Sequence, residues 1–389
     1  MAKAVSTIMG FLSLAVLASC EPLNFQDVQR NIKDKIHSKA LIAEPDLVIP
    51  KKSISDMVER SNPSINVNDG FSSAIRAAVI SDPAIKSLKD DLEARSATVK
   101  IYQSQKDFKV TGDVLAGIED ITDRTSGAAV VLKANRLLFD GGKLEAEILR
   151  EQLSFESAQY SLLARMDQRS LELASLWVDL DRYDQLNNLI DSRLSVLDPL
   201  IRQLDEVAKA GIGDVSQVAA AQRTVSSVRV TKANISEKLL SSKLGFENAF
   251  GAIPDNIVFD AKGLSSLVPS KISDELAFGS PALQSEFLNY RSSEANLIAV
   301  RSKDSHSIGF EARASRPMGD SEYDSDESIG IVLRKKLFNG NVFDLEVQQA
   351  QALVNSAAAE LEATYKEGER VIKISQQKIV SLKKAIELA

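Results

Sequence analysis

A single cysteine, Cys20, serves all 389 residues, so no disulfide can form within the chain and that one thiol needs another explanation. Aromatic residues are scarce, at 5% of the chain, with Trp177 the only tryptophan. Against abundant Ala, Leu, Ser, Glu, Gln and Lys, that scarcity argues for long helices and against a large mixed core. Beyond Cys20 no stretch reaches the roughly 18 consecutive apolar residues a spanning helix needs, so no transmembrane helix is expected there. Positive charge is not in excess either: 47 Lys and Arg are interspersed with 54 Asp and Glu, for a net charge of −7, which leaves no basic footprint for nucleic acid. The only histidines, His37 and His306, lie far apart and have no metal-spaced partner. No Ser/His/Asp or Cys/His constellation and no Walker or dinucleotide pattern is visible. No catalytic, cofactor-binding or metal-ligating residue is therefore assigned.

What is present begins at the N-terminus. Lys3 precedes an apolar run from Ile8 to Leu17, which ends in Leu17-Ala18-Ser19-Cys20. This reads as a signal peptide over 1–19, with a cleavage site that resembles a bacterial lipobox. Cys20 then becomes a lipidated first residue, and two or more acyl chains give stable anchoring. Glu21 stands where an aspartate often marks inner-membrane retention in such lipoproteins, so the resemblance points to the outer membrane. A lipidated linker is expected over 20–70.

The remainder repeats itself. Ser81-Asp82-Pro83-Ala84-Ile85 is echoed by Gly279-Ser280-Pro281-Ala282-Leu283, and Leu138-Phe139-Asp140-Gly141-Gly142 by Leu337-Phe338-Asn339-Gly340-Asn341. Both echoes fall at nearly one spacing, which indicates a duplicated unit. Each unit opens with a proline suited to a first helical turn and continues with helical periodicity: Ile85, Leu88, Leu92, then Leu283, Phe287, Tyr290. Period-two alternation follows. Phe108, Val110, Val114, Ala116 and Ile118 oppose Lys109, Thr111, Asp113 and Glu119; Ala128, Val130, Leu132 and Ala134 oppose Lys133 and Asn135. In the second unit Ile308, Phe310, Ala312 and Ala314 oppose Glu311 and Arg313, and Ile329, Ile331 and Leu333 face away from Arg334 across the acidic turn Asp320 to Glu327. That turn reads as a solvated loop.

A rod follows each hairpin. Lys143 to Lys209 contains no glycine and one proline, Pro199, with leucines at three- and four-residue steps. At about 1.5 Å per residue it spans on the order of 100 Å. Pro199 is expected to kink it or mark an irregularity. Gly211-Ile212-Gly213-Asp214 ends the rod, and Asp214 can cap a returning helix to about Phe250. The expected organisation is repeat 1 over 71–260, with a β-hairpin at 107–137 and a helical hairpin at 143–250, and a linker over 261–278. Repeat 2 covers 279–389, with a β-hairpin at 306–337 and an incomplete long helix at 342–389. By the repeat spacing a second tip falls roughly twenty residues past Ala389, so the sequence reads as C-terminally truncated.

Strands with one apolar face need an apolar environment, and about eleven tilted residues cover the hydrocarbon layer of an outer membrane. Four strands cannot close a barrel, and lipid forbids open edges, so the chain must oligomerise. Two copies give a barrel filled by its own side chains, whereas three give the smallest closed multiple with room for a lumen. Lys109, Asp113, Lys133, Glu311, Arg313 and Arg334 would line it.

The strand-to-helix junction Leu138-Phe139-Asp140-Gly141-Gly142-Lys143, its echo at Phe338 and Gly340, and the duplicated plan resemble TolC-like outer-membrane efflux proteins. The resemblance covers residues 70–389. It implies a mainly α fold with a membrane β-barrel portion, completed as barrel and helical tube by a homotrimer. It implies partners too: outer-membrane lipid, a periplasmic adaptor protein and an inner-membrane transporter. The stretch Lys209 to Val218 is similar to the family's hairpin tip, where a basic residue, a Gly-Leu pair and a small hydroxyl residue meet the adaptor. Lys209, Gly211-Ile212 and Ser216 occupy those places here, while Gly213-Asp214 and Gln217 depart from the pattern. The role implied is passive export of small molecules, without catalysis. An exit duct for type I protein secretion is the alternative within this class, and a lipid-anchored coiled-coil adaptor without a pore is the alternative outside it.

Overall fold

A computed structural model describes residues 65–120, 125–211, 214–254, 275–319 and 321–388. After a single turn of 3-10 helix at Val67–Asp69, two helices follow, α1 (Phe71–Ser81) and α2 (Pro83–Ser104). Pro83 sits in the first turn of α2, and the Asp82 side chain accepts a hydrogen bond from the Ala84 N–H at 2.8 Å. This meets one of the donors that a helix start leaves unsatisfied. Strands β1 (Lys109–Asp120) and β2 (Thr125–Phe139) come next, followed by α3 (Lys143–Lys209) and α4 (Val215–Phe250). The second half contains the short α5 (Glu275–Phe278), α6 (Pro281–Ser302), β3 (Ser307–Met318), β4 (Asp326–Arg334) and α7 (Val342–Leu388). Pro281 repeats the role of Pro83, but Ser280 makes no side-chain cap.

The described residues fall into two compact units: Val110–Lys133 with Ala312–Ile329, and the remainder. In the second of these, α3 runs through 67 residues without a break in its assignment. Pro199 therefore lies inside one continuous helix instead of ending it. Asp191 and Asp198 on α3 pair with Lys232 and Arg229 on α4, tying the hairpin together over the two turns that lead up to that proline. Nearer the base of the hairpin, α1, α3 and α4 bury Ile75, Val79, Leu173, Trp177, Leu180, Phe246 and Phe250 in one cluster. The Trp177 ring meets Phe246 and Phe250 edge-on, with centroids 5.1 and 5.7 Å away. The leucine spacing of α3 thus marks this core, and the lone tryptophan lies within it.

A different chemistry joins the two repeats. Where α3 crosses α6, Ser157 and Ser285 are buried. Ser157 Oγ lies 3.0 Å from the Ser285 carbonyl and 2.6 Å from Asn289 Oδ1, and Ser161 Oγ lies 2.7 Å from Ser285 Oγ. Small hydroxyl residues let the two backbones approach, and their mutual hydrogen bonds satisfy polar groups that burial would otherwise penalise. Arg150, half-buried close by, donates to Asn296, Tyr102 and Glu151.

The strands form one four-stranded sheet in the order β1-β2-β3-β4. Both expected hairpins are present, and β2 also pairs with β3, across the whole of the helical hairpin in sequence. The outer edges of β1 and β4 have no neighbouring strand among the described residues.

Candidate functional site

Three places carry the residues of interest: the sheet faces, the strand-to-helix junctions and the hairpin tip. Alternation along the strands separates the sheet residues into two sets. Within the strand unit, Val114 and Ile329 are 70% and 74% exposed, and Val110 and Leu132 are exposed beside them. On the other parity, Lys133 Nζ pairs with Asp113 Oδ2 at 2.9 Å, and Arg313 reaches Asp326 at 3.9 Å. That face is not uniformly charged, because Ala129 and Val131 share the parity of Lys133 and are 2% and 0% exposed.

The acidic connection between β3 and β4 keeps Glu322, Asp324, Asp326 and Glu327 exposed, as a solvated loop does, and it is also held to the sheet. Ser321 Oγ accepts the Ala128 N–H at 3.2 Å, and the Tyr323 hydroxyl donates to the Gly117 carbonyl at 2.7 Å. The connection is therefore tied to β1 and β2 by hydrogen bonds that local sequence does not announce. Asp320 lies outside the described residues.

Within the larger unit, Phe108, Leu138, Ile331 and Leu333 are exposed on the strand roots, and Glu311 pairs with Arg334 at 2.6 Å. Lys109 is exposed at the start of β1. The two junctions, nearly identical in sequence, fold differently. At the first, β2 continues to Phe139, whose ring stacks obliquely on His306 with centroids 5.2 Å apart. Asp140 Oδ2 accepts from the Leu144 N–H at 2.8 Å, and Gly141 adopts φ +72°. A Cβ on Gly141 would lie 2.2 Å from Ser305 Cβ. At the second, β4 stops at Arg334, short of the expected 337; Phe338 is 88% exposed, and a Cβ on Gly340, at φ +60°, would meet nothing within 4 Å. The two also differ in pairing: β2 is flanked by β1 and β3, while β4 has a neighbour on one side only among the described residues.

A polar cleft of about 770 Å³ lies between the junctions, lined by Asp140, Lys143, Asp304, Arg334, Phe338 and Glu346 among others. Carboxylates and cations alternate around it, and Lys303 and Lys335 pair with Glu346 and Asp304 at 3.0 and 3.6 Å. Among the described residues no group of His, Cys, Asp or Glu is arranged to hold a metal ion. His37 and Cys20 lie outside them.

At the hairpin tip Lys209 is exposed and its Nζ lies 2.6 Å from Asp205 Oδ2, a pairing that raises its pKa above the ordinary lysine value. Gly211 turns the chain at φ +77° with open space around it, a conformation that favours glycine. Asp214 caps α4 by accepting the Ser216 N–H at 2.8 Å; the Ser216 hydroxyl, and after it this N–H, hold its carboxyl below the usual value. Ile212 and Gly213 lie outside the described residues.

Comparison with family models and with curated proteins finds no match to the sequence. Solved structures do match. CusC, described in terms of folding and transmembrane channel formation, has a TM-score of 0.72 at 13% identity, covering 84% of this chain and 79% of that one. The outer membrane protein VceC of Vibrio cholerae has a TM-score of 0.68 at 14% identity, covering 82% of each chain. The CmeC outer membrane channel of Campylobacter jejuni has a TM-score of 0.61 at 16% identity, covering 78% of this chain and 71% of that one. The chain has the TolC-like outer-membrane channel fold. Identities this low establish the architecture alone, so the use this TolC-like chain makes of it rests on its own residues. Those include several that the sequence did not flag: Ser157 and Ser285 look like ordinary helix polars, and Arg136 looks like one more strand charge until its neighbours are seen.

Proposed function

We propose that the chain is a subunit of an outer-membrane export duct that passes small molecules outward. The supporting observation is the sheet: an exposed apolar set of residues, an opposite set holding ion pairs, and two strand edges without neighbours among the described residues. Lipid tolerates the first only if the edges are closed, and pairing β4 of one copy with β1 of the next closes them. Three copies leave room for a lumen, onto which Lys109, Asp113, Lys133, Glu311, Arg313 and Arg334 face. The solved proteins of this fold are described as outer-membrane channels, which supports the same setting here. In this reading the α3–α4 hairpin extends through the periplasm, and Lys209, Gly211, Ile212 and Ser216 meet an adaptor protein that couples the duct to an inner-membrane transporter. Cys20 carries the lipid that anchors the N-terminus in the outer membrane.

Strand-edge crosslinking tests the central claim. In a Cys20→Ala background, which has no other thiol, Thr111→Cys on β1 is combined in turn with cysteine at each position from Ser328 to Leu333 on β4. Oxidation in outer membranes is expected to give dimers and trimers, and nothing larger, at one register. Monomer alone for every pair overturns the closed-barrel reading.

A further inference from the structure

The apolar parity of the sheet carries two arginines, and they are not alike. Arg316, near the end of β3, pairs with Glu327 and is neutralised. Arg136 shares the parity of Leu132, Ala134 and Leu138 on β2 and is exposed. Among the described residues it has no carboxylate partner. Instead its guanidinium carbon lies 5.1 Å from the centroid of the Phe108 ring, and its Nε donates to the Lys106 carbonyl at 3.0 Å. Phe108 in turn meets Phe310 edge-on, with centroids 5.8 Å apart. The nearest lysine, Lys106, is already paired with Glu145 at 3.1 Å. The cation is thus held in place on one edge, with its Nη groups making no hydrogen bond to a described residue.

A guanidinium fork with two free N–H groups matches a phosphate oxygen pair in geometry and charge. Its position settles which phosphate. Arg136 stands near the helix end of β2, opposite Gly309 at the root of β3, where a Gly309 Cβ would lie 3.5 Å from the Arg136 carbonyl. Barrel strands change there from the apolar band to an interfacial aromatic girdle, and a charge facing lipid costs far less there than at the midplane. We propose that Arg136, seated on Phe108 and flanked by Phe310, binds the phosphodiester of a membrane phospholipid at the periplasmic rim of the barrel. The proposal rests on the barrel reading above.

Phospholipid retention tests it on the purified oligomer of the full chain. The protein is extracted from vesicles of phosphatidylethanolamine and phosphatidylglycerol, washed with lipid-free detergent, and its bound phospholipid followed by native mass spectrometry. Arg136→Gln is expected to release its most tightly held phospholipid roughly tenfold faster than the unaltered chain, the change that one charge-assisted hydrogen bond supports. Phe108→Leu, which keeps the charge and removes its seat, should release it at an intermediate rate. Arg316→Gln should leave retention unchanged. The crosslinked trimer ladder, measured with the same substitutions placed in the Cys20→Ala chain that carries the strand-edge cysteine pair, reports separately on the barrel. A normal ladder with equal retention in Arg136→Gln and the unaltered chain overturns the lipid site and leaves the barrel standing, whereas absence of the ladder from the cysteine-pair chain that keeps Arg136 overturns both. Equal loss in Arg316→Gln, or complete displacement of the lipid by excess inorganic phosphate, also overturns it, the first as unspecific charge and the second as a site for free anions.

Discussion

Gly141 and Gly340 occupy matching places in two nearly identical junctions, and substituting each by alanine should separate them. Both glycines have positive φ, +72° and +60°, which for a residue with a Cβ costs about 1–2 kcal/mol. At Gly340 that is the whole effect, because nothing lies within 4 Å of the added atom. At Gly141 the new Cβ falls 2.2 Å from Ser305 Cβ and 2.3 Å from Ser305 Oγ. The Cβ contact cannot be relieved by rotating the serine, so backbone must move, and overpacking of this kind adds about 1–3 kcal/mol. Gly141→Ala should therefore cost about 3 kcal/mol and Gly340→Ala about 1. Movement at Gly141 also pulls on Asp140, whose carboxylate holds the Gly142 and Leu144 N–H groups at the start of α3. The assay is the temperature at which the purified protein unfolds by circular dichroism, at one fixed protein concentration. A drop of roughly 3–5 °C is expected for Gly141→Ala and about 1 °C for Gly340→Ala. Adding Ser305→Gly removes both clashing atoms, so the double variant should recover most of the difference while keeping the φ cost. Equal losses at the two glycines, or no recovery in the double variant, would refute the steric argument.

Val114→Arg puts a charge on the exposed apolar face and should cost about 2–4 kcal/mol if the residue sits near the bilayer midplane, depleting oligomers extracted from membranes. Lys133→Glu replaces the 2.9 Å pair with Asp113 by two like charges on the opposite face and should shift the ion selectivity of reconstituted channels while sparing assembly; equal oligomer loss in both would contradict the face assignment. At the tip, Gly211→Trp and Ile212→Asp should abolish site-specific crosslinking to the adaptor and export together, with outer-membrane oligomers intact, and wild-type levels of both would reduce the tip to a turn. The Asp214 cap should show in the pH dependence of amide exchange at Ser216. Its carboxyl titrates below the ordinary aspartate value because the folded state binds its charged form. The cap's contribution is thus complete above the unfolded-state pKa of about 3.9 and disappears as pH falls through the lower folded value. Asp214→Ala should exchange faster than the unaltered chain at neutral pH and match it in strong acid; a difference that persists in acid would mean the carboxylate is not responsible.

Much of this architecture was legible in the sequence because its signals are local. Pro83 and Pro281 start helices through their own fixed φ, Asp214 caps the chain two residues ahead of it, and the absence of glycine over α3 leaves nothing to break it. Alternation along four short runs identified the strands, since a side chain's face depends only on its position in its own strand. The tertiary structure decided whatever depends on segments far apart in sequence. Pairing of β2 with β3 joins the two hairpins into one sheet and places β2 between two strands, while β4 has one neighbour among the described residues; Leu138-Phe139-Asp140-Gly141 and Leu337-Phe338-Asn339-Gly340 fold differently at their ends. The contact of α3 with α6 turned Ser157 and Ser285 from ordinary helix polars into a buried seam. Nothing next to Arg136 in sequence reveals that its partners are a phenylalanine and a carbonyl on the neighbouring strand's approach, whereas Arg316 has a glutamate. A charge is assigned by its residue type, but whether it is neutralised or left to bind something else depends on which distant side chains the fold brings beside it.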